Sequence, residues 1–402
     1  MTEGEFDGDL EPIDWEVETG RRLPLRPRTV GFVLTVAVVV GAALYERFYV
    51  IDGHVPPWGW SPGTIGYMLY VSLAVVVFYL VVPLAQRPKL TKRYWRRLRK
   101  RPAAMASLAY LVFFVLLGLI GEHVAKALGV GQDPNNPYGA PLANPPVGYT
   151  IDMWETRLVP FCAGEVEQGT CHGSWTHPLG TTYGTAGGED MVLATIEGAR
   201  VALEIAFVTA AIIVVLGTLV GTAAALYGGW VDEVLMRWVD VQQVVPAIFV
   251  VIVLQMSFQR RIFTIVAVFG LLAWGGVARL VRSEALQRTE EAYVMAAKSA
   301  GASRFGIVRR HVVPNVSNTV VTAATSQMPL LIVVEASVAF LGFGAPLSLS
   351  WGTLIADGLG HFPTLWWQAV VPAVMLIVTT LALNVLGDEL RDVLDPRMEG
   401  RG

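Results

Sequence analysis

The sequence predicts an all-α polytopic membrane protein with about eight transmembrane helices. Three observations carry that prediction. Of the 402 residues, 53 % are hydrophobic and 16 % charged, against roughly 25 % charged in soluble domains. The mean hydropathy is +0.51. The apolar residues also gather into stretches close to the ~20 residues that cross a bilayer core. These stretches cover residues 29–45, 65–84, 102–121, part of 201–230, 241–259, 262–278, 319–343 and 366–387. A net charge of -3 makes no case for a nucleic-acid partner.

Residues 1–28 open the chain with an acidic segment. Glu3, Glu5, Asp7, Asp9, Glu11, Asp14, Glu16 and Glu18 repel one another, which predicts a solvated tail. No small-residue cleavage site follows the first apolar run. That run therefore reads as a retained helix, and residues 29–84 as a transmembrane hairpin. The loop 85–101 is strongly basic, with Arg87, Lys89, Lys92, Arg93, Arg96, Arg97, Arg99, Lys100 and Arg101 and no acid. Such bias sets orientation, so a topology determinant is its plain reading and a lipid-binding patch the sharper one.

The basic residues before the first span (Arg21, Arg22, Arg26 and Arg28), those of loop 85–101 and those after residue 278 all fall on one side of an eight-span chain. The rule makes that side cytoplasmic, together with both termini. Arg391 and Arg397 in the C-terminal segment 391–402 agree. Arg260 and Arg261 disagree, since they sit in a tight outer turn.

The span 102–121 leads to a Pro- and Gly-rich outer segment, 122–200, that holds both cysteines, Cys162 and Cys171. Two cysteines on the oxidising side predict one disulfide, with two free thiols as the alternative. His172 and His177 lie close by, but a zinc site needs more ligands at regular spacing. No metal site is expected.

Several catalytic signatures are missing. The chain has no G-x-x-x-x-G-K-[ST] phosphate loop, no H-E-x-x-H and no G-x-S-x-G. No catalytic residues are expected, and neither is a cofactor in this chain. A membrane-anchored enzyme or receptor is the rival class.

The membrane core 201–390 contains one long connection, 283–315, and its stretch 291–315 is the best candidate for a functional surface. Helix formers run from Thr289 to Ala300. Gly301 is a suitable helix stop, Ser303 a cap for the next short helix, and Pro314 its end before the next span. Ala296, Ala297, Ala300, Gly301 and Ala302 form a surface with little bulk, which lets another protein's backbone approach. Arg304, Arg309 and Arg310 form its polar rim. A helix resting on lipid headgroups would instead carry bulky apolar residues on one face.

Tyr293-Val-Met-Ala-Ala-Lys-Ser-Ala-Gly-Ala-Ser-Arg-Phe-Gly-Ile-Val-Arg-Arg-His-Val-Val-Pro-Asn315 resembles the coupling loop of ABC importer permeases, in the oligopeptide/dipeptide C-subunit branch. Further blocks resemble that branch in order. They are His177-Pro-Leu-Gly-Thr181 with Gly198-Ala-Arg200, and Tyr227-Gly-Gly-Trp-Val-Asp232 with Arg237-Trp-Val-Asp240. Then come Ala278-Arg279 with Val281-Arg282, and Glu335-Ala-Ser-Val-Ala-Phe-Leu-Gly-Phe-Gly344 with Ser350-Trp-Gly352. Asn384-Val-Leu-Gly-Asp-Glu-Leu-Arg-Asp-Val-Leu-Asp-Pro-Arg397 closes the series. The resemblance covers residues 176–397.

The resemblance implies a six-helix type I permease core, preceded here by an extra two-helix hairpin. It implies a subunit forming half of a translocation pore in a prokaryotic cell membrane. Its partners would be a second permease subunit, two ATPase subunits that bind ATP and Mg, and an extracytoplasmic solute-binding protein. The cargo implied is di- or oligopeptide, with nickel chelates or oligosaccharides as alternatives. Three positions depart from the family pattern. Met295 stands where a Glu is usual, Thr182 where an Asp is usual, and Gly188-Glu-Asp190 where Gly-Arg-Asp is usual. Glu335 lies within a span, where a carboxylate must face a cavity or a partner. It is expected either to line the pore or to close a hydrogen-bond network with a neighbouring helix.

Overall fold

The computed structural model describes residues 27–49, 61–130, 142–153, 161–183, 188–308, 312–346 and 348–394. The acidic segment 1–26, Arg309, Arg310, His311 and Arg397 lie outside the described residues. Among the described residues seven helices are long and apolar enough to cross a membrane, or eight if one bent pair counts as a single span.

The N-terminal hairpin is α1 (Pro27–Tyr49) and α2 (Gly63–Gln86), the latter with a π-helical turn at Val77–Val81. Phe32 meets the edges of Phe78 and Tyr79 at centroid distances of 6.1 and 5.4 Å. Tyr67 Oη donates to Glu46 Oε2 at 2.7 Å, near the other end of the hairpin. The basic segment then folds as a short helix, α3 (Pro88–Leu98), before α4 (Pro102–Ala127) re-enters the apolar layer.

The outer segment is shorter than the sequence suggests. α4 continues six residues beyond residue 121, and α5 (Met191–Tyr227) begins ten residues before residue 201. The charges that seemed to mark a loop are satisfied inside the helices. Arg200 Nε lies 3.2 Å from Glu204 Oε1, and its Nη1 3.6 Å from Glu122 Oε2. Its Nη2 donates to the Pro62 carbonyl at 3.4 Å. One guanidinium thereby joins α4 and α5 to the start of α2, because a charge in a helix bundle is tolerated when it is paired.

Between α4 and α5 sits a small sheet subdomain. Its antiparallel sheet has the order β1-β3-β2, with β1 (Thr150–Asp152), β2 (Val166–Glu167) and β3 (Thr170–His172). Cys162 and Cys171 form a disulfide across it. Buried Asn144 braces the loop by accepting from Ala163 N at 2.7 Å and donating to the Phe161 carbonyl at 2.9 Å.

α5 is the central column, 37 residues long and buried over much of its length. It ends at Gly228 and Gly229, both with positive φ, a conformation that glycine adopts without strain. α6 (Gly229–Val244) and α7 (Ala247–Ser257) follow, bent by 65°. The straight span expected over 241–259 is therefore broken, because Pro246 has no N–H to continue the ladder. α8 (Ile262–Leu272) descends into α9 (Gly275–Thr289), which runs eleven residues past residue 278.

Two short helices follow, α10 (Ala292–Ser299) and α11 (Arg304–Ile307). α12 (Val313–Val338) then crosses back and closes in a π-helical turn, Ala339–Phe343. Pro314 opens α12 at its first turn, where its missing N–H costs nothing. It does not end the preceding helix, as the sequence reading had it. α13 (Trp351–Leu359) is a short connecting helix, and α14 (Trp366–Leu394) is the last span.

The Arg260–Arg261 pair, anomalous by charge, is accounted for locally. Arg260 Nη1 donates to the Gly342 carbonyl at 2.5 Å and its guanidinium lies 5.8 Å from the Phe343 ring. A cation at a helix C-terminus is stabilised by the exposed carbonyls there.

Candidate coupling surface

The surface is built from the turn outward. α10 ends in a capping motif in which Ala300 N donates to Ala296 O at 2.9 Å and Ala302 N to Ala297 O at 3.0 Å. Gly301 takes φ +82°, the left-handed position at which helices commonly end. Ser303 Oγ then accepts from Gly306 N at 3.1 Å and caps α11. Val294 and Ile307 are buried and pin the pair to the main core.

Ala296, Ala300, Gly301, Ala302 and Ser303 are exposed, while Ala297 is half-buried. The face is not uniformly small. Tyr293 and Met295 are also exposed, at 42 % and 54 %, and border the alanine strip. Glu290 and Glu291 are exposed just before α10. The backbones of Arg304 and Pro314 are placed at the starts of α11 and α12.

The helices that lead from this surface into the bundle are tied together by contacts whose parts are dispersed in the sequence. Asp232 of α6 receives two bonds from Arg282 of α9, Nε to Oδ1 and Nη2 to Oδ2, each 2.5 Å. A second α6–α9 ion pair joins Asp240 to Arg279. The Asp232–Arg282 fork fixes orientation as well as distance. α9 also lies tight against α5. A Cβ on Gly221 would fall 2.4 Å from the Ala278 carbonyl oxygen, and one on Gly217 2.7 Å from Val277 Cβ. Two blocks that sequence reasoning noticed separately thus meet in two contacts. The signal available in advance was opposite charge: Asp232 and Asp240 on one block, Arg279 and Arg282 on the other.

Glu335 is 4 % exposed and hydrogen-bonded by Ser350. Ser350 also caps α13, accepting from Thr353 N at 3.4 Å. A Cβ on Gly352 would stand 2.1 Å from the Ala336 carbonyl oxygen. Glu335 therefore sits in a close α12–α13 contact.

Where the sheet subdomain meets α5, His177 Nδ1 lies 2.7 Å from Asp190 Oδ2, both side chains fully buried, and Asp190 Oδ1 caps α5 by accepting from Val192 N at 2.7 Å. Trp367 Nε1 donates to the Thr181 carbonyl at 3.1 Å, and the Gln368 amide exchanges two bonds with the Tyr183 backbone. Two departures from the family pattern meet here. Thr182 N donates to the Glu189 carbonyl at 2.8 Å, and Glu189 N to Thr182 Oγ1 at 2.9 Å. Burial and nearby Asp190 raise the Glu189 carboxyl above its ordinary pKa.

A bundle of helices long and apolar enough to cross a membrane, with a helix pair exposed beyond its end, is the architecture of a multi-pass membrane protein. The chain belongs to the binding-protein-dependent transport system inner membrane components, in the branch of the dipeptide and oligopeptide C permeases. Residues 213–400 match the family model described as "Binding-protein-dependent transport system inner membrane component". Residues 89–146 match the "N-terminal TM domain of oligopeptide transport permease C". The chain is 32 % identical over 322 residues to the dipeptide transport system permease protein DppC of Bacillus subtilis, covering 78 % of this chain and 88 % of that protein. It is 37 % identical over 218 residues to the oligopeptide transport system permease protein OppC of Haemophilus influenzae, covering 54 % and 70 %. Among solved structures, a chain of the MetNI methionine ABC transporter in inward-facing form aligns at a TM-score of 0.43 with 19 % identity, covering 51 % of this chain and 98 % of that one. The hairpin α1–α2 precedes both matched regions.

Proposed function

We propose that this permease carries di- or oligopeptides as half of a two-subunit pore, and that α10–α11 dock on a partner ATPase. The observation that carries the reading is the joint. A small, exposed surface at Ala296, Ala300, Gly301 and Ala302 is continuous with α9, and α9 is fixed to α6 by two ion pairs and to α5 by glycine contacts. A push on α10 is then transmitted to three membrane helices as a rigid movement. In this reading ATP and Mg belong to the ATPase subunits, and both termini and α10–α11 face the cytoplasm. The exposed apolar stripe Trp230, Val234, Trp238 and Val241 on α6 suits contact with a second permease subunit. The sheet subdomain suits contact with a solute-binding protein.

The test is reconstitution with the companion subunits in proteoliposomes. ATP-dependent uptake of a labelled dipeptide, displaced by other peptides but not by a nickel chelate or an oligosaccharide, is the expected result. Uptake of either competitor without peptide uptake overturns the cargo assignment. Uptake independent of the ATPase subunits overturns the coupling assignment.

A further inference from the structure

Two helical runs of membrane-spanning length are broken at the same level. The turn 258–261 joins α7 to α8, and Gln255 locks it by donating to the Arg261 carbonyl at 3.1 Å and accepting from Arg261 N at 2.9 Å. α7 and α8 are each 11 residues long. At about 1.5 Å per residue, each leads from the charged turn to a break about 16 Å away, which is about half of a ~30 Å hydrocarbon core. The two breaks touch. Gln242, at the end of α6 and 4 % exposed, donates from Nε2 to the Leu272 carbonyl at the end of α8, at 2.6 Å.

The two helix ends differ in how their polar groups are satisfied. At the end of α8, Leu271 accepts from Trp274 Nε1 at 2.9 Å and Leu272 accepts from Gln242. At the α6–α7 break, the carbonyls of Gln243, Val244 and Val245 accept no backbone hydrogen bond among the described residues, and the amides of Ala247 and Ile248 donate none. Gln242 Oε1 is buried there without a partner among the described residues. Gln243, Val244, Val245 and Pro246 are exposed, Val244 at 80 %. Irregular backbone at this depth does not face lipid; it is covered by protein or lines a water-filled cavity. The apolar stripe assigned above to a second permease subunit reaches Val241, so the break opens at the edge of that face.

Free carbonyls at a helix end attract positive charge, and free amides at a helix start attract negative charge. A peptide main chain carries both complements, an ammonium group and carbonyl oxygens. We propose that the α6–α7 break binds the main chain of the cargo peptide. The ammonium group sits on the carbonyls of Gln243, Val244 and Val245, and a peptide carbonyl on the amides of Ala247 and Ile248. Val244, Val245 and Pro246 bring no charge that would select among cargo side chains. The inference rests on the peptide cargo proposed above.

The experiment is protection of an introduced thiol in the full complex, held with its companion subunits in lipid nanodiscs open to solvent on both faces. Cys162 and Cys171 form a disulfide, so Val244→Cys supplies the free thiol of this chain. A charged, water-soluble methanethiosulfonate should modify it, and dialanine should slow the modification. N-acetyl-dialanine lacks the ammonium group and should protect on the order of tenfold less well at equal concentration, the loss of one charge-assisted hydrogen bond. Pro246→Ala supplies the N–H that continues the ladder; added to Val244→Cys it should remove the protection, with copurified companion subunits as the control for assembly. Val38→Cys, at a position 72 % exposed on α1, should not react. An unreactive Val244→Cys assigns the break to lipid or to the second permease subunit and overturns the proposal, as does a Val38→Cys that reacts equally fast. Modification that dialanine does not slow, that N-acetyl-dialanine slows equally, or that stays protected with Pro246→Ala also overturns it. If wild-type uptake of dialanine persists beside any of these results, the site fails and the cargo assignment stands. Absence of that uptake overturns the cargo assignment and this site with it.

Discussion

Breaking the Asp232–Arg282 pair should loosen the joint that connects α10–α11 to the bundle. The pair is bidentate, with exposures of 21 % for Asp232 and 32 % for Arg282. Exposed pairs contribute about 0.2–1 kcal/mol, whereas removing one partner of a buried pair costs about 3–5 kcal/mol. A pair with about a quarter of its surface in solvent falls between, at about 1.5 kcal/mol once solvent screening is discounted. The perturbation is a double-mutant cycle of Asp232→Asn, Arg282→Gln and the double variant. The assay is reversible unfolding in mixed micelles, alongside substrate transported per ATP hydrolysed by the reconstituted complex. Each single variant should lower both readouts. The double variant should lose less than the sum of the singles by about 1.5 kcal/mol. Additivity within about 0.3 kcal/mol would refute the reasoning, since two groups that do not interact cannot stiffen the joint.

Gly221→Ala should push α9 away from α5, because its Cβ would meet the Ala278 carbonyl at 2.4 Å; destabilisation of about 1–3 kcal/mol in the same micelle assay is expected. Cys162→Ser with Cys171→Ser opens a loop with a sequence separation of 9. Loop-closure entropy places that loss at about 2.5 kcal/mol, read as faster proteolysis of the sheet subdomain with the spans intact. Glu189 has a raised carboxyl pKa in the folded chain, so the native state binds the proton more tightly than the unfolded one. Its contribution to stability therefore falls as pH rises from the unfolded carboxylate range through the folded pKa. Glu189→Gln should flatten the pH profile of sheet-subdomain unfolding in that window.

The spans were legible because apolar length is a strong signal, and α10, Gly301 and the Ser303 cap were legible because turn chemistry is local. Other features were not. The starts of α5 and the end of α4 were hidden by Glu122, Arg200 and Glu204, whose charges cancel only after the helices pack. The break at Pro246 sat inside an apolar run, where composition outweighed the one residue that interrupts the ladder. Pro314 was read as a stop although it opens α12, because a proline near two helix ends serves either. The joint itself escaped notice for another reason. Asp232 and Arg282 are fifty positions apart, and only the fold brings α6 against α9. Glu335 was legible as a costly charge, yet its partner Ser350 lies across a turn that no local pattern predicts.

The central claim is that the small face of α10 is a docking surface, and Ala300→Trp tests it most directly. Ala300 is exposed, so the added ring leaves the chain's own core intact but occupies the surface a partner must approach. The measurement is the ATPase retained on the tagged permease in mild detergent, with thermal unfolding of the permease as the control for folding. The account predicts at least about a tenfold loss of retained ATPase, or ~1.4 kcal/mol, with unchanged unfolding and loss of ATP-driven uptake. Full retention of the ATPase together with normal uptake would contradict it.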